Sequence, residues 1–290
     1  MTIEWPPALA IELAERRCII FMGAGVSMGS LGEDGTTHPP TWEKFLTDAS
    51  ELIVDGADKK IARSLINKYQ FLDAAEIITQ RSNPADFTDY LRNTFIHPHF
   101  SANELHKIIL DIDPKIVITT NYDEIYDHYC ISGHAESGYN ICRYYDRFAV
   151  ENIRSRIRMV MKAHGCVSDP TRIVLSRSSY YMAKRDYSGF YQVLDALFLT
   201  HTLLFIGASL TDPDIQLVLE NVNISAPSAH PHYALVEKTR HPSITAVMKK
   251  THNVELIEYR KGRHDLALQA MQDLRDKVNA LRSLAGGFAV

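Results

Sequence analysis

Several short stretches of this chain set polar, chemistry-bearing side chains directly after an apolar run. In RCIIFMGAGVSMGS the run enters Gly23-Ala24-Gly25-Val26-Ser27. Glycines in that position let backbone N–H groups approach a pyrophosphate without a side chain in the way, and Ser27 adds a hydroxyl donor. A dehydrogenase fingerprint would need a third glycine where Met28 stands and an acidic strand end about twenty residues on. Glu43 falls near that spacing but inside a helical pattern, and a plain tight turn accounts for Gly-x-Gly equally well. In KIVITTNYDEIYDHY the run ends at Thr119-Thr120 and yields to Asn121, Tyr122 and Asp123. Asn121 and Asp123 can serve a ligand or simply form a turn and cap the next helix. MVMKAHGCVSDP delivers His164-Gly165, either an imidazole placed for proton exchange near neutral pH or a satisfied core histidine. TLLFIGASLTDPDI ends in Gly207-Ala208-Ser209 and is followed by Asp212-Pro213, which alone is an ordinary strand-to-helix turn.

The apolar runs must place these residues. RCIIFM, KIVITT, RMVMKAH, RIVL, TLLFIG, HYALVE and VELIEY are short and unbroken, as strands buried on both faces are. Helical segments alternate with them. Ser101 with Glu104 reads as a capping box opening NELHKIILDI, and Asp212 with Pro213 as the cap of PDIQLVLENV. The pattern predicts an α/β fold: a Rossmann-like doubly wound, mainly parallel sheet in which ligands sit at the carboxyl ends of strands. Residues from about 41 to 110 contain helical patterns and no convincing strand, which predicts a helical insertion after the first strand within a single domain spanning residues 1–290. The tail from His264 to Leu284 reads as an amphipathic helix ending at Gly286-Gly287 and packed on the core. Every chemistry-bearing stretch then falls at a strand's carboxyl end, and in a doubly wound sheet those ends converge on one crevice.

Composition narrows the classes. Hydrophobic residues make 46% and charged residues 23% of the 290, an ordinary globular balance that excludes wholesale disorder. With 31 Lys+Arg against 35 Asp+Glu the formal charge is −4, so no general basic field draws the chain to nucleic acid. The first residues, MTIEWPPALAIELAERR, lack the basic-then-apolar order of a signal peptide, and no apolar run reaches the roughly 20 residues needed to span a bilayer. A soluble, cytoplasmic protein is expected. Cys18, Cys130, Cys142 and Cys166 form no C-x-x-C pair, and His97/His99 and His230/His232 have no third ligand at motif spacing. Reduced, buried thiols and no metal are expected. Asp111 and Asp113, which could suggest metal carboxylates, read as a helix end before Pro114.

Taken in order, Gly23-Ala24-Gly25-Val26-Ser27, Thr119-Thr120-Asn121-Tyr122-Asp123, His164-Gly165 and Gly207-Ala208-Ser209-Leu210-x-Asp212 resemble the sirtuin superfamily, specifically its bacterial sirtuin-like NAD-hydrolase branch of antiphage defence. The resemblance covers nearly the whole chain. It implies that Gly23, Ala24, Gly25 and Ser27 hold NAD phosphates, that Asn121 and His164 are the catalytic pair, and that Gly207 and Ser209 lie near the adenosine side. Thr120 and Asp123 would support the site, Asp123 by fixing the turn that presents Asn121. Protein-deacylating sirtuins carry two C-x-x-C zinc pairs that this chain lacks, so hydrolysis of NAD to nicotinamide and ADP-ribose is expected over deacylation. A catalytically silent NAD- or ADP-ribose-binding module is the rival reading. Because an ungated NAD hydrolase would poison its own cell, the resemblance further implies control by assembly, either as a homo-oligomer or beside a HerA-type hexameric DNA-translocating ATPase.

Overall fold

The structure, a computed structural model, describes residues 3–134, 138–147, 149–210, 213–225, 230–238 and 242–286. Its strands are β1 (Cys18–Met22), β2 (Ile116–Thr119), β3 (Tyr139–Arg143), β4 (Arg158–Lys162), β5 (Thr202–Ile206), β6 (His232–Glu237) and β7 (Val254–Tyr259). Among the described residues they form one seven-stranded sheet in the order β3-β4-β2-β1-β5-β6-β7, with every neighbouring pair parallel. The fold is therefore the Rossmann-like α/β class that the apolar runs predict. From the central β1 the chain first builds the β2 side and then returns to build the β5 side. That reversal leaves a crevice at the carboxyl ends of the middle strands.

Helix α1 (Pro7–Ala14) precedes the sheet, and α2 (Ala24–Ser27), α3 (Trp42–Ala49), α4 (Gly56–Asn67), α5 (Phe71–Arg81), α6 (Pro84–Phe95) and α7 (Glu104–Ile112) lie between β1 and β2. Then come α8 (Ile125–Tyr129), α9 (Ala149–Arg154), α10 (Arg177–Asp186), α11 (Ser188–Thr200), α12 (Pro213–Ser225), α13 (Pro242–His252) and α14 (His264–Gly286). Strand residues alternate between two apolar layers. Ile20 and Met22 pack with Leu9, Ile109 and Met271 on one face, while Ile19 and Phe21 pack with Leu194 and Phe198 on the other. A third core belongs to α3–α6, and Tyr122, Val167, Ile173 and Leu175 from the sheet's carboxyl end join it. The helices after β1 thus sit over the end of the sheet where ligands bind in this fold class.

The sequence patterns and the structure part in several places. RIVL is not a strand: residues 170–172 make a short turn, and the following segment crosses the sheet end, its Val174 N–H donating to His164 C=O at 3.0 Å. An apolar run needs burial, not sheet pairing, and this one is buried beneath α10 and the helical layer. Strand β3 escapes the pattern because it is an edge strand, with only Tyr139 and Cys142 of YNICR buried. The cap of α7 is Asn103 rather than Ser101. Asn103 Oδ1 accepts from Leu105 N–H (2.9 Å) and His106 N–H (3.3 Å), while Asn103 N–H donates to His106 Nδ1 at 3.2 Å. Asn103 prevails because its amide NH2 also donates to Val26 C=O at 2.6 Å, a tertiary bond that a serine hydroxyl two residues earlier is not placed to make. Asp212 and Gly287, read above as a helix cap and a helix end, lie outside the described residues.

Among the described residues, no helix is long and apolar enough to cross a membrane, and no group of three or more His, Cys, Asp or Glu is placed to hold a metal ion. The four cysteines are buried free thiols.

Candidate active site

Beyond β2 the chain turns sharply, and hydrogen bonds to the neighbouring strand end fix the turn. Thr119 Oγ1 donates to Met22 C=O at 2.9 Å and accepts from Asn121 N–H at 3.1 Å. The Asn121 side chain is 7% exposed. Its NH2 donates to Gly23 C=O at 3.2 Å and to Ser27 Oγ at 3.3 Å. Those bonds orient the amide, so its oxygen is the group left to receive a hydroxyl from a ligand. Asp123 Oδ1 accepts from Ile125 N–H at 3.2 Å and closes the turn into α8. Burial pushes the Asp123 carboxyl upward, while the Lys162 ammonium and the Ser27 hydroxyl pull it the other way. Thr120 is only half-buried, and it is Thr119 that knits the turn to β1.

The two glycine loops meet each other. Gly23 and Gly25 donate N–H bonds of 2.9 Å to Ile206 C=O and Gly207 C=O. These donors hold the β1 loop to the β5 loop instead of facing an anion, which differs from the reading of the sequence alone. The glycines are needed for that closeness: a Cβ on Gly23 would lie 2.4 Å from Gly207 O, and one on Gly207, whose φ is +63°, would lie 2.5 Å from Val26 N. Ala24 and Ser209 stay on the exposed rim, whereas Ser27 is buried with its hydroxyl turned to Asn121 and Asp123.

His164 follows β4. Because Thr119 pairs with Lys162 in register, Asn121 and His164 each stand two residues beyond a paired position on adjacent strands. The sheet thus puts both residues just past the carboxyl ends of adjacent strands. His164 is 5% exposed, and its ring meets Tyr180 of α10 edge-on at 4.9 Å. Gly165 adopts φ +75°, and a Cβ there would strike Arg172 O at 2.6 Å, so the chain leaves His164 by a turn that favours glycine.

Some of the residues that build this site gave no motif in the sequence. Lys162 is fully buried; its ammonium donates to Asp123 C=O at 2.6 Å and lies 2.8 Å from Asp127 Oδ2. Burial opposes its charge, but the Asp127 and Asp123 carboxylates outweigh burial and keep it protonated. The one available signal was a lysine inside the otherwise apolar RMVMKAH. Tyr122 donates to Val174 C=O at 2.8 Å and packs among Trp42, Phe45 and Phe95, tying the turn to the helical layer. On the far side of the site Arg177 forks onto Asp73 at 2.7 and 2.9 Å and Ser178 bonds Glu76, so α5 holds the helix that carries Tyr180.

Comparison with known proteins fits this arrangement. A SIR2-like domain matches residues 115–257, which include Asn121, His164 and Gly207. The chain is 25% identical over 221 residues to the NAD(+) hydrolase ThsA of Enterococcus faecium, covering 76% of this chain and 43% of that protein. It is 27% identical over 233 residues to the NAD(+) hydrolase ThsA of Bacillus cereus (strain MSX-D12), covering 78% and 44%. Defense-associated sirtuin 2 of Bacillus subtilis is 26% identical over 210 residues, covering 70% of this chain and 19% of its own length. The chain therefore spans less than half the length of the curated relatives it matches. The chain thus carries a SIR2-like domain over residues 115–257, built on its parallel sheet.

Proposed function

We propose that the chain hydrolyses NAD to nicotinamide and ADP-ribose, with Asn121 and His164 as the catalytic residues. The observation that carries this reading is the Thr119–Lys162 register, which sets a buried amide and a buried imidazole on adjacent strand ends beside the β1 glycine loop. The names of the similar proteins, NAD(+) hydrolase and defense-associated sirtuin, support the substrate and a role in defence by NAD depletion. In the reaction the C1′–N bond breaks, its electron pair leaves with nicotinamide, and the ribose acquires oxocarbenium character. Nicotinamide departs neutral from a cation, so no general acid has to protonate it, unlike the leaving group of an ordinary glycosidase.

Each residue then has a defined task. The Asn121 amide, held through its NH2, presents its oxygen to a ribose hydroxyl and to the attacking water. The His164 imidazole accepts the proton that the water releases as its oxygen bonds C1′. Gly23, Ala24, Gly25 and Ser27 on one loop, with Gly207 and Ser209 on the other, border the dinucleotide together with Thr120, while Thr119 and Asp123 hold the turn. Burial of the pair strengthens each polar interaction by excluding water. Control of the activity through assembly, as a homo-oligomer or with a HerA-type ATPase, belongs to the same proposal and rests on the resemblance alone.

The test is a chromatographic product assay on NAD. Wild type should release nicotinamide with ADP-ribose, and Asn121→Ala and His164→Ala should each lose that release while remaining folded by circular dichroism. NAD binding without turnover in wild type would make the chain a silent binding module, and wild-type turnover in both variants would remove the catalytic assignment.

A further inference from the structure

The Lys162 side chain spans the gap between the two strands that bear the proposed catalytic pair. It leaves β4 two residues before His164 and ends against the turn after β2, where its ammonium donates to Asp123 C=O at 2.6 Å and faces Asp127 Oδ2 at 2.8 Å. Lys162 is 0% exposed and Asp127 4%. Removing two charges this completely from water is unfavourable, and a pair of apolar residues of like volume would often serve stability as well or better. A stability role alone is therefore a weak reason for an ion pair at this point. Its acceptor gives a better one: the bonded carbonyl belongs to Asp123, two residues from Asn121, in a turn held on its other side by Thr119 and by Ile125 N–H.

We infer that Lys162, oriented by Asp127, is a positioning residue that locks the Asn121 turn to the His164 strand and so fixes the spacing of amide and imidazole. This inference rests on the reading of Asn121 and His164 given above and adds to it a residue that touches neither substrate nor reacting atoms. A short ammonium–carbonyl bond in a dry interior is directional and strong, and it has no water to exchange with. Without it the turn keeps Thr119 and Asp123 Oδ1 as anchors but loses its tie to β4. Because catalysis falls steeply with small misplacements, the consequence should appear in turnover before it appears in binding or folding.

The test uses the full chain. Lys162→Met leaves Asp127 buried without a partner and would damage folding directly, so the informative variant is Lys162→Gln/Asp127→Asn, which removes both charges and keeps hydrogen-bonding groups at both positions. Expected are a melting temperature close to wild type, a KM for NAD within about twofold, and a kcat for nicotinamide release lower by about tenfold or more. A double variant with wild-type kcat overturns the inference and leaves the catalytic assignment standing. So does one that raises KM at unchanged kcat, or one that fails to fold, since the pair would then serve binding or the fold. A wild-type chain that releases no nicotinamide overturns the parent reading and this one with it, which separates the two failures.

Discussion

Replacing the Asn121 amide by a carboxylate would change almost nothing in shape and nearly everything in chemistry. The NH2 group donates to Gly23 C=O and Ser27 Oγ, so an oxygen in its place would face a carbonyl oxygen at about the same distance as the present 3.2 Å bond. The Asp123 carboxyl, already pushed up by burial, stands two residues away. Asn121→Asp should therefore lower nicotinamide release by at least ~10²-fold and destabilise the chain by roughly 1–3 kcal/mol. Steady-state kinetics together with urea unfolding would check both, and an isosteric variant with normal turnover would mean that the amide donors are not what orients this side chain. The same residue-scale logic separates Thr119 from Thr120. The first is buried and bonded to Met22 and Asn121, and the second is only half-buried, although neighbouring threonines in a sequence look interchangeable.

At the scale of elements, the site exists because the loops after β1 and β5 touch. Gly207 has φ +63° and faces backbone atoms of Gly25 and Val26, which cannot swing aside as a side chain would. Gly35 offers an internal comparison: its φ is +70°, but nothing lies within 4 Å of where its Cβ would be. Gly35→Ala should cost about 1–2 kcal/mol of backbone strain alone. Gly207→Ala should cost roughly 2–4 kcal/mol, because overpacking adds to strain, and it should also lower NAD turnover. Thermal melts of the two variants side by side test this, and equal losses would show that the loop junction can relax. The helical layer contributes at this scale too. Tyr122 is held by Val174 and by the aromatic side chains of α3 and α6, so the turn bearing Asn121 is packed from above by α3–α6 and bonded from below by Lys162.

For the whole molecule, pH acts through buried histidines that the proposed chemistry does not use. His106 and His232 are buried, and burial lowers the pKa of each to about 4. Each also accepts a backbone N–H at Nδ1, from Asn103 and Leu203, so protonation would break a bond as well as bury a charge. The unfolded chain binds protons at these positions from about pH 6.5 downward and the folded chain does so only near 4, so stability is complete above 6.5 and declines as pH falls. At pH 5 each histidine should cost about 2 kcal/mol relative to pH 7. Urea unfolding at both pH values, with His106→Gln as comparison, should show a shallower decline in the variant; identical declines would refute the assignment. Much of this protein was readable as sequence. Strands buried on both faces are unbroken apolar runs, and a parallel sheet puts their following residues at one crevice, so the fold class and the neighbourhood of Asn121 and His164 came from local pattern. Pattern failed where burial and sheet pairing separate: Ile173, Val174 and Leu175 of RIVL are buried without forming a strand, and β3 pairs at an edge with little burial. Tertiary structure alone decided that the β1 glycines serve the junction with Gly207, that Asn103 caps α7, and that Lys162 reaches Asp123 and Asp127. The glycine junction, the Asn103–Val26 bond behind that cap and the Lys162 contacts join residues distant in the chain, and long-range contacts leave no period or spacing in a sequence.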